Sequence, residues 1–117
     1  MKLNINNFSS LSKTWLFDLD GTLVKHNGYL NGEDVLLPGV KKFFKQNIAP
    51  DDYVLILTAR SGEYKELTER FLNISGIRYN KILYNIPHGE RILFNDIKPR
   101  DNLKTAYSVN LKRDSGL

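Results

Sequence analysis

Two aspartates at i and i+2 sit in the run Asp18-Leu19-Asp20-Gly21-Thr22. The apolar stretch Thr14 to Asp18 leads into them, and a glycine turn follows. If the chain leaves strand geometry at that turn, both carboxylates can face one pocket. There a carboxylate can act as a nucleophile. The competing reading is an aspartate-rich turn whose carboxylates bond only to nearby backbone. Other chemistries are scarce in this chain. It has no cysteine, which excludes disulfides, thiolate nucleophiles and thiolate metal sites. Its two histidines, His26 and His88, leave little for a histidine-rich metal site. Carboxylate and oxygen chemistry remains, and that suits a hard cation such as Mg²⁺.

The elements that must position these residues read as alternating strand and helix. Thr14 to Asp18 is a short buried strand by length and composition. The turn-rich stretch 21–37 follows, and Asn27-Gly28 within it suits a type I′ turn, giving a short hairpin flap. Pro38-Gly39 opens a helix carrying Val40, Phe43 and Phe44 on one face. Tyr53 to Leu57 is a continuous apolar run, the pattern of a strand buried on both faces. Ser61 caps the next helix in this reading, Glu63 lies in its first turn, and Tyr64, Leu67, Phe71 and Ile74 form its apolar stripe. Gly76 and Ile77 fit the positions that end it. Lys81 to Tyr84, Ile92 to Phe94 and Ala106 to Leu111 are further strands. Trp15, Phe17, Phe43, Phe44 and Phe71 belong to the core by spacing. The expected architecture is α/β, with a mainly parallel central sheet and helices on both faces. Ligands of such sheets bind at the C-terminal strand ends.

Length and composition agree with one domain over residues 1–117. Apolar residues make up 41% and charged residues 26%, a globular balance. No apolar run approaches the roughly 20 residues that span a bilayer. Met1 to Lys13 has no continuous apolar stretch, so it does not read as a secretory signal, and the expected location is cytoplasmic. The net charge of +4 is spread among interleaved acids and bases. A local excess occurs only near the end, at Lys98, Arg100, Lys104, Lys112 and Arg113. That pattern reads as a solvated face tolerant of anions rather than a nucleic-acid footprint.

With the elements placed, the chain resembles the haloacid dehalogenase superfamily of phosphatases. Asp18-Leu19-Asp20-Gly21-Thr22 looks like the family's opening motif, Leu55-Ile56-Leu57-Thr58 like its second, and Leu93-Phe94-Asn95-Asp96 like its fourth. The likeness runs from Trp15 to Leu111. Asn95-Asp96, the stretch Ala106 to Leu111, and Arg113-Asp114 look like small stand-alone members associated with capsule and lipopolysaccharide biosynthesis. The resemblance implies a three-layer, Rossmann-like fold. It has no room for a cap domain, only for the flap at about 21–37. It implies a Mg²⁺-dependent phosphomonoesterase acting through an aspartyl-phosphate, with a sugar phosphate as the expected substrate.

In that scheme Asp18 is the nucleophile and Asp20 the general acid and base. Asp18 and Asp96 are the side-chain ligands of Mg²⁺, and the Asp20 carbonyl is a third. Thr58 would hold a phosphoryl oxygen, where the plainer role is a local strand-end hydrogen bond. The family's third motif, a basic residue, has no clean match. Arg91 ranks first for that role and Lys98 second, ahead of Lys81. Asn95 stands where many relatives carry a second Asp, and Asp101 is a further acidic residue that reads better as a turn residue. His26 reads as an exposed flap residue, and His88-Gly89 as a turn. An open, capless site favours a homo-oligomer whose flap or C-terminal tail reaches a neighbour. Two other functions stay open: a nucleotide or nucleic-acid 3′-end phosphatase, and a catalytically silent binding or regulatory domain of the same fold.

Overall fold

The computed structural model describes residues 7–117. Residues 1–6, which belong to the segment read against a secretory signal, lie outside the described residues. Three strands form a parallel sheet in the order β1 (Thr14–Asp18), β2 (Tyr53–Leu57), β3 (Lys81–Leu83). Helix α1 (Val40–Asn47) connects the first pair and α2 (Lys65–Ile74) the second. The chain is therefore α/β with βαβ connections, as the alternation of patterns predicts. No helix among the described residues is long and apolar enough to cross a membrane.

The sheet is covered on one face rather than two. Trp15 pairs with Val54 and Phe17 with Ile56, so these four side chains share a face. Val54 and Ile56 are fully buried there, and the burial of each contributes about 1.5–3 kcal/mol. Phe43 of α1 meets Trp15 and Phe17 edge-on, and Leu72 of α2 joins the same core. On the opposite face Leu16 is 50% exposed. Among the described residues this gives two layers where the sequence predicts three. The strand order explains it. Successive crossovers that step the same way across a sheet, each right-handed, lay both helices on one side. The expectation that Tyr53 to Leu57 is buried on both faces fails for the same reason.

Local signals fare differently at the two helices. Gly39 has φ 78° and leads into α1, whose Val40, Phe43 and Phe44 are buried as their spacing predicts. At α2 the chain starts with a 3₁₀ turn, Gly62–Tyr64, and the Ser61 hydroxyl donates to Glu63 rather than capping the backbone. The buried positions of α2 are Thr68 and Leu72, while Leu67 and Ile74 are exposed. The buried face is thus rotated from the predicted one and includes Thr68, whose hydroxyl meets a buried partner described below. The end of α2 is as expected. Gly76 has φ 74°, its N–H donates to Asn73, and the Ile77 N–H reaches back to Leu72 at 3.0 Å.

The last third of the chain departs most from expectation. Ile92 to Phe94 and Ala106 to Leu111 are not strands, and Phe94 is 90% exposed. A run of apolar residues becomes a strand only when its backbone finds a ladder partner, and among the described residues this run has none. The local pairing in this stretch is a bridge between Lys98 and Leu103. The segment ending at Leu117 folds back onto its own chain: the Asp114 N–H donates to the Gly21 carbonyl at 2.9 Å, and the Leu117 N–H to the Pro38 carbonyl at 3.0 Å.

Candidate active site at the C-terminal end of the edge strand

Asp18 is the last residue of β1, beside Leu57 of β2. Leu19 follows and is 1% exposed, so it anchors the loop in the core between the two carboxylates. The Leu19 carbonyl gathers the N–H groups of Thr22, Leu23 and Val24 at 3.2, 2.9 and 3.2 Å, which curls the chain sharply. Gly21 sits in this curl with φ 86°, a conformation that a side chain rarely adopts. A Cβ there would also press on Arg113. The curl gives the two aspartates different surroundings.

The Asp18 side chain is 40% exposed. Its Oδ2 accepts a hydrogen bond from the Thr22 hydroxyl at 3.0 Å. Its Oδ1 accepts one from Arg91 Nη1 at 2.9 Å, and that side chain is itself 35% exposed. Of the three basic residues weighed for the third motif, Arg91 is the one seated on the Asp18 carboxylate. Lys98 is exposed and lies in the bridge with Leu103. Lys81 opens β3, on the other edge of the sheet and level with Leu16 rather than with Asp18.

Asp20 meets a different partner, one the sequence reading passed over. Arg60 lies three residues beyond β2, and its side chain is 1% exposed. Nε donates to Asp20 Oδ2 at 3.0 Å and Nη2 to Asp20 Oδ1 at 2.9 Å. Nη2 and Nη1 also donate to the carboxylate oxygens of Asp34, at 2.7 and 3.0 Å. Nη1 donates once more, to the Thr68 hydroxyl at 2.8 Å. The five N–H donors of a guanidinium are thereby all engaged. The ring of Tyr29 lies 3.9 Å from the guanidinium carbon, and Tyr64 packs edge-on against that ring. Burial alone would push the Arg60 proton off, but the hydrogen bonds and charges of Asp20 and Asp34 outweigh it and hold the guanidinium charged. Burial and the nearby Asp20 charge raise the Tyr29 phenol above its ordinary range. The available signal for Arg60 was position: a cation at the C-terminal end of an apolar strand, one turn before a helix.

Asp34 comes from the flap. The flap is an antiparallel pair at its base, where the Lys25 N–H donates to Val35 and the Leu37 N–H to Leu23, both at 2.9 Å. Its tip is not the predicted type I′ turn. Asn27 has φ 55°, but a 3₁₀ turn over Gly28–Leu30 follows instead of a second left-handed residue. His26 is half-buried, and its backbone N–H donates to Asp114 Oδ1 at 2.8 Å. The C-terminal segment therefore braces the flap of its own chain. His88 is exposed.

Thr58 lies one residue past β2 and is 1% exposed. Its hydroxyl accepts the Arg60 backbone N–H at 3.1 Å, which is the strand-end role. Asp96 is exposed, and its carbonyl accepts from the Thr105 hydroxyl, which also receives Asn95 Nδ2 at 2.9 Å. Asp101 has a left-handed φ of 69° in an exposed turn, as its turn reading predicts. No three Asp, Glu, His or Cys side chains among the described residues converge to hold a metal ion. The set that the resemblance implies for Mg²⁺ has two carboxylates, Asp18 and Asp96, with the Asp20 carbonyl as a third oxygen. Both oxygens of Asp20 face Arg60, and one of Asp18 faces Arg91. The implied set is made of oxygens alone, the donor chemistry a hard cation such as Mg²⁺ takes.

What is assembled is an exposed carboxylate with a cation on it, beside a second carboxylate held rigidly by a buried arginine. Such a pair can attack an electrophilic centre with one oxygen and exchange a proton at the other. The chain matches no family model, no curated protein and no solved structure.

Proposed function

We propose that the chain is a phosphomonoesterase of the haloacid dehalogenase type, working through an aspartyl-phosphate at Asp18. The observation that carries this reading is the division of labour between Asp18 and Asp20. Asp18 is open to solvent and bonded by Arg91, while Asp20 is fixed at both oxygens by Arg60. Phosphoryl transfer asks for an accessible nucleophile, a cation near the transferring oxygens and a positioned proton carrier. All three residue types stand at the C-terminal end of β1 and β2.

The reaction runs in two steps. The substrate enters as its phosphate monoanion and its proton passes to Asp20; an Asp18 oxygen attacks phosphorus, the O–P bond to the substrate alcohol breaks, and Asp20 passes that proton to the departing oxygen. Asp20, now a carboxylate, takes a proton from water as that water attacks the aspartyl-phosphate, and inorganic phosphate leaves. Arg91 offers two parallel donors to phosphoryl oxygens, where a lysine would be a point charge. The Asp20 side chain is 17% exposed, so its open edge can meet the substrate. Mg²⁺ dependence is part of the proposal on the strength of the resemblance: Asp18, Asp96 and the Asp20 carbonyl would hold the ion, which would offset repulsion between the anionic nucleophile and the phosphate.

A sugar phosphate of surface-polysaccharide synthesis is the substrate class that the resemblance suggests. An exposed Asp18 supports a bulky ester over a small enclosed one. Membership of the haloacid dehalogenase fold, a cytoplasmic setting and self-association belong to the same proposal. A screen of phosphorylated metabolites with Mg²⁺, scored by kcat/KM, identifies the substrate, and gel filtration identifies the assembly. A second reading, a catalytically silent domain, draws on Asn95, which stands where many relatives carry a second Asp, and on the place of Asp96 in an exposed loop rather than at a strand end. Phosphate release by the purified chain that Asp18→Asn abolishes decides for the enzyme. No release from any ester with Mg²⁺ decides for the silent domain.

A further inference from the structure

Arg60 joins three parts of the chain at one buried point: Asp20 in the loop after β1, Asp34 in the flap and Thr68 in α2. Its side chain and that of Asp34 are 1% and 2% exposed. All five donors are in use, so Arg60 has none left for a substrate. Two carboxylates share one guanidinium, and the planar fork dictates where each must lie. A change at Asp34 therefore alters the arginine plane that orients Asp20. The contact between the flap and the core is a polar lock on the proton carrier, capped by Tyr29.

We propose that Asp34 is a positioning residue: through Arg60 it fixes Asp20 where the departing alcohol receives its proton, so that the flap's seating sets protonation of the leaving group. The proposal rests on the phosphatase reading. Its consequence depends on the leaving group. A good leaving group departs as an anion and needs little help from Asp20, while an alkyl alcohol needs the proton in the transition state. The ratio kcat/KM covers steps through formation of the aspartyl-phosphate. It therefore reports Asp20 as acid and not as base in the second step.

The test compares wild type with Asp34→Asn on p-nitrophenyl phosphate and on a simple alkyl phosphate, with Mg²⁺, at a temperature where both are folded by circular dichroism. The expected result is a loss of kcat/KM at least tenfold larger on the alkyl ester than on the nitrophenyl ester. Asp34→Glu, which keeps the carboxylate, should recover part of the alkyl-ester rate. An equal loss on both esters assigns Asp34 to stability and overturns the proposal, as does no loss on either. If Asp34→Asn does not fold, Asp34→Ser carries the same comparison, and failure of both to fold also overturns it. Wild type that releases phosphate from neither ester nor any screened metabolite contradicts the phosphatase reading itself. Turnover with a flat leaving-group dependence contradicts only the role of Asp34.

Discussion

Arg60 grips Asp20 through both carboxylate oxygens, Nε to Oδ2 at 3.0 Å and Nη2 to Oδ1 at 2.9 Å, in a site where the arginine side chain is 1% exposed. A buried pair of this kind adds little net stability compared with an apolar replacement of the whole group. Removing one member is another matter. Arg60→Ala leaves Asp34 buried without its cation and strands the Thr68 hydroxyl. We predict a loss of about 3–5 kcal/mol in urea denaturation. Arg60→Lys should recover only a minor part, because a point charge cannot serve two carboxylates in one plane. Stability within about 1 kcal/mol of wild type in Arg60→Ala would mean that this lock is cosmetic.

Asp52 supplies a second prediction, from pH. Its carboxylate accepts the Lys13 N–H, Trp15 Nε1–H and the Ala49 N–H, each at 2.9 Å. Burial alone would raise its pKa, but these bonds to the ionised form outweigh that and lower it below the ordinary Asp value. A carboxylate with a lowered folded-state pKa binds protons more readily when unfolded. Its stabilisation is present above the unfolded pKa of about 3.9 and is lost as pH falls through the lower folded value. Urea melts from pH 7 down to pH 2 should show this acid loss, and Asp52→Asn should flatten its Asp52 share. The variant should also be weaker at pH 7, by about 1–3 kcal/mol, because an amide nitrogen must face a donor. An unchanged pH slope in Asp52→Asn would contradict the assignment.

Arg91 and Lys98 can be separated by rate. Arg91 reaches Asp18 at 2.9 Å, whereas Lys98 is exposed in a bridge with Leu103. Arg91→Ala should lower kcat/KM for an aryl phosphate at least tenfold more than Lys98→Ala does. Equal losses, or a larger loss at Lys98, would remove Arg91 from the site.

Much of this arrangement was legible before the coordinates. Phe17 and the Val40, Phe43, Phe44 face declare themselves by period, and Gly76 by its place after α2. These are local signals that tertiary structure leaves alone. Arg60 was hidden because its role is made by three distant partners. Its neighbours in sequence, Ala59 and Ser61, say nothing about Asp34 in the flap. The rotated face of α2 was hidden in the same way, since it includes Thr68, whose hydroxyl meets Arg60. Ile92 to Phe94 looked like a strand because an apolar run is necessary for a buried strand. It is not sufficient, and an extended segment without a ladder neighbour stays outside the sheet. The pair Asp18 and Asp20 was legible as chemistry, but their separate environments come from the curl around the Leu19 carbonyl, which no pattern of types encodes.

The central claim is a phosphoryl group on Asp18, and the most direct measurement is to catch it there. Wild type with Mg²⁺ is mixed with a phosphate ester it turns over, quenched in acid within one turnover and digested for peptide mass analysis. The account predicts one added phosphoryl group on the peptide containing Asp18, absent from Asp18→Asn, which should also release no phosphate. Turnover that proceeds with no label on that peptide, or with label on another residue, would contradict it.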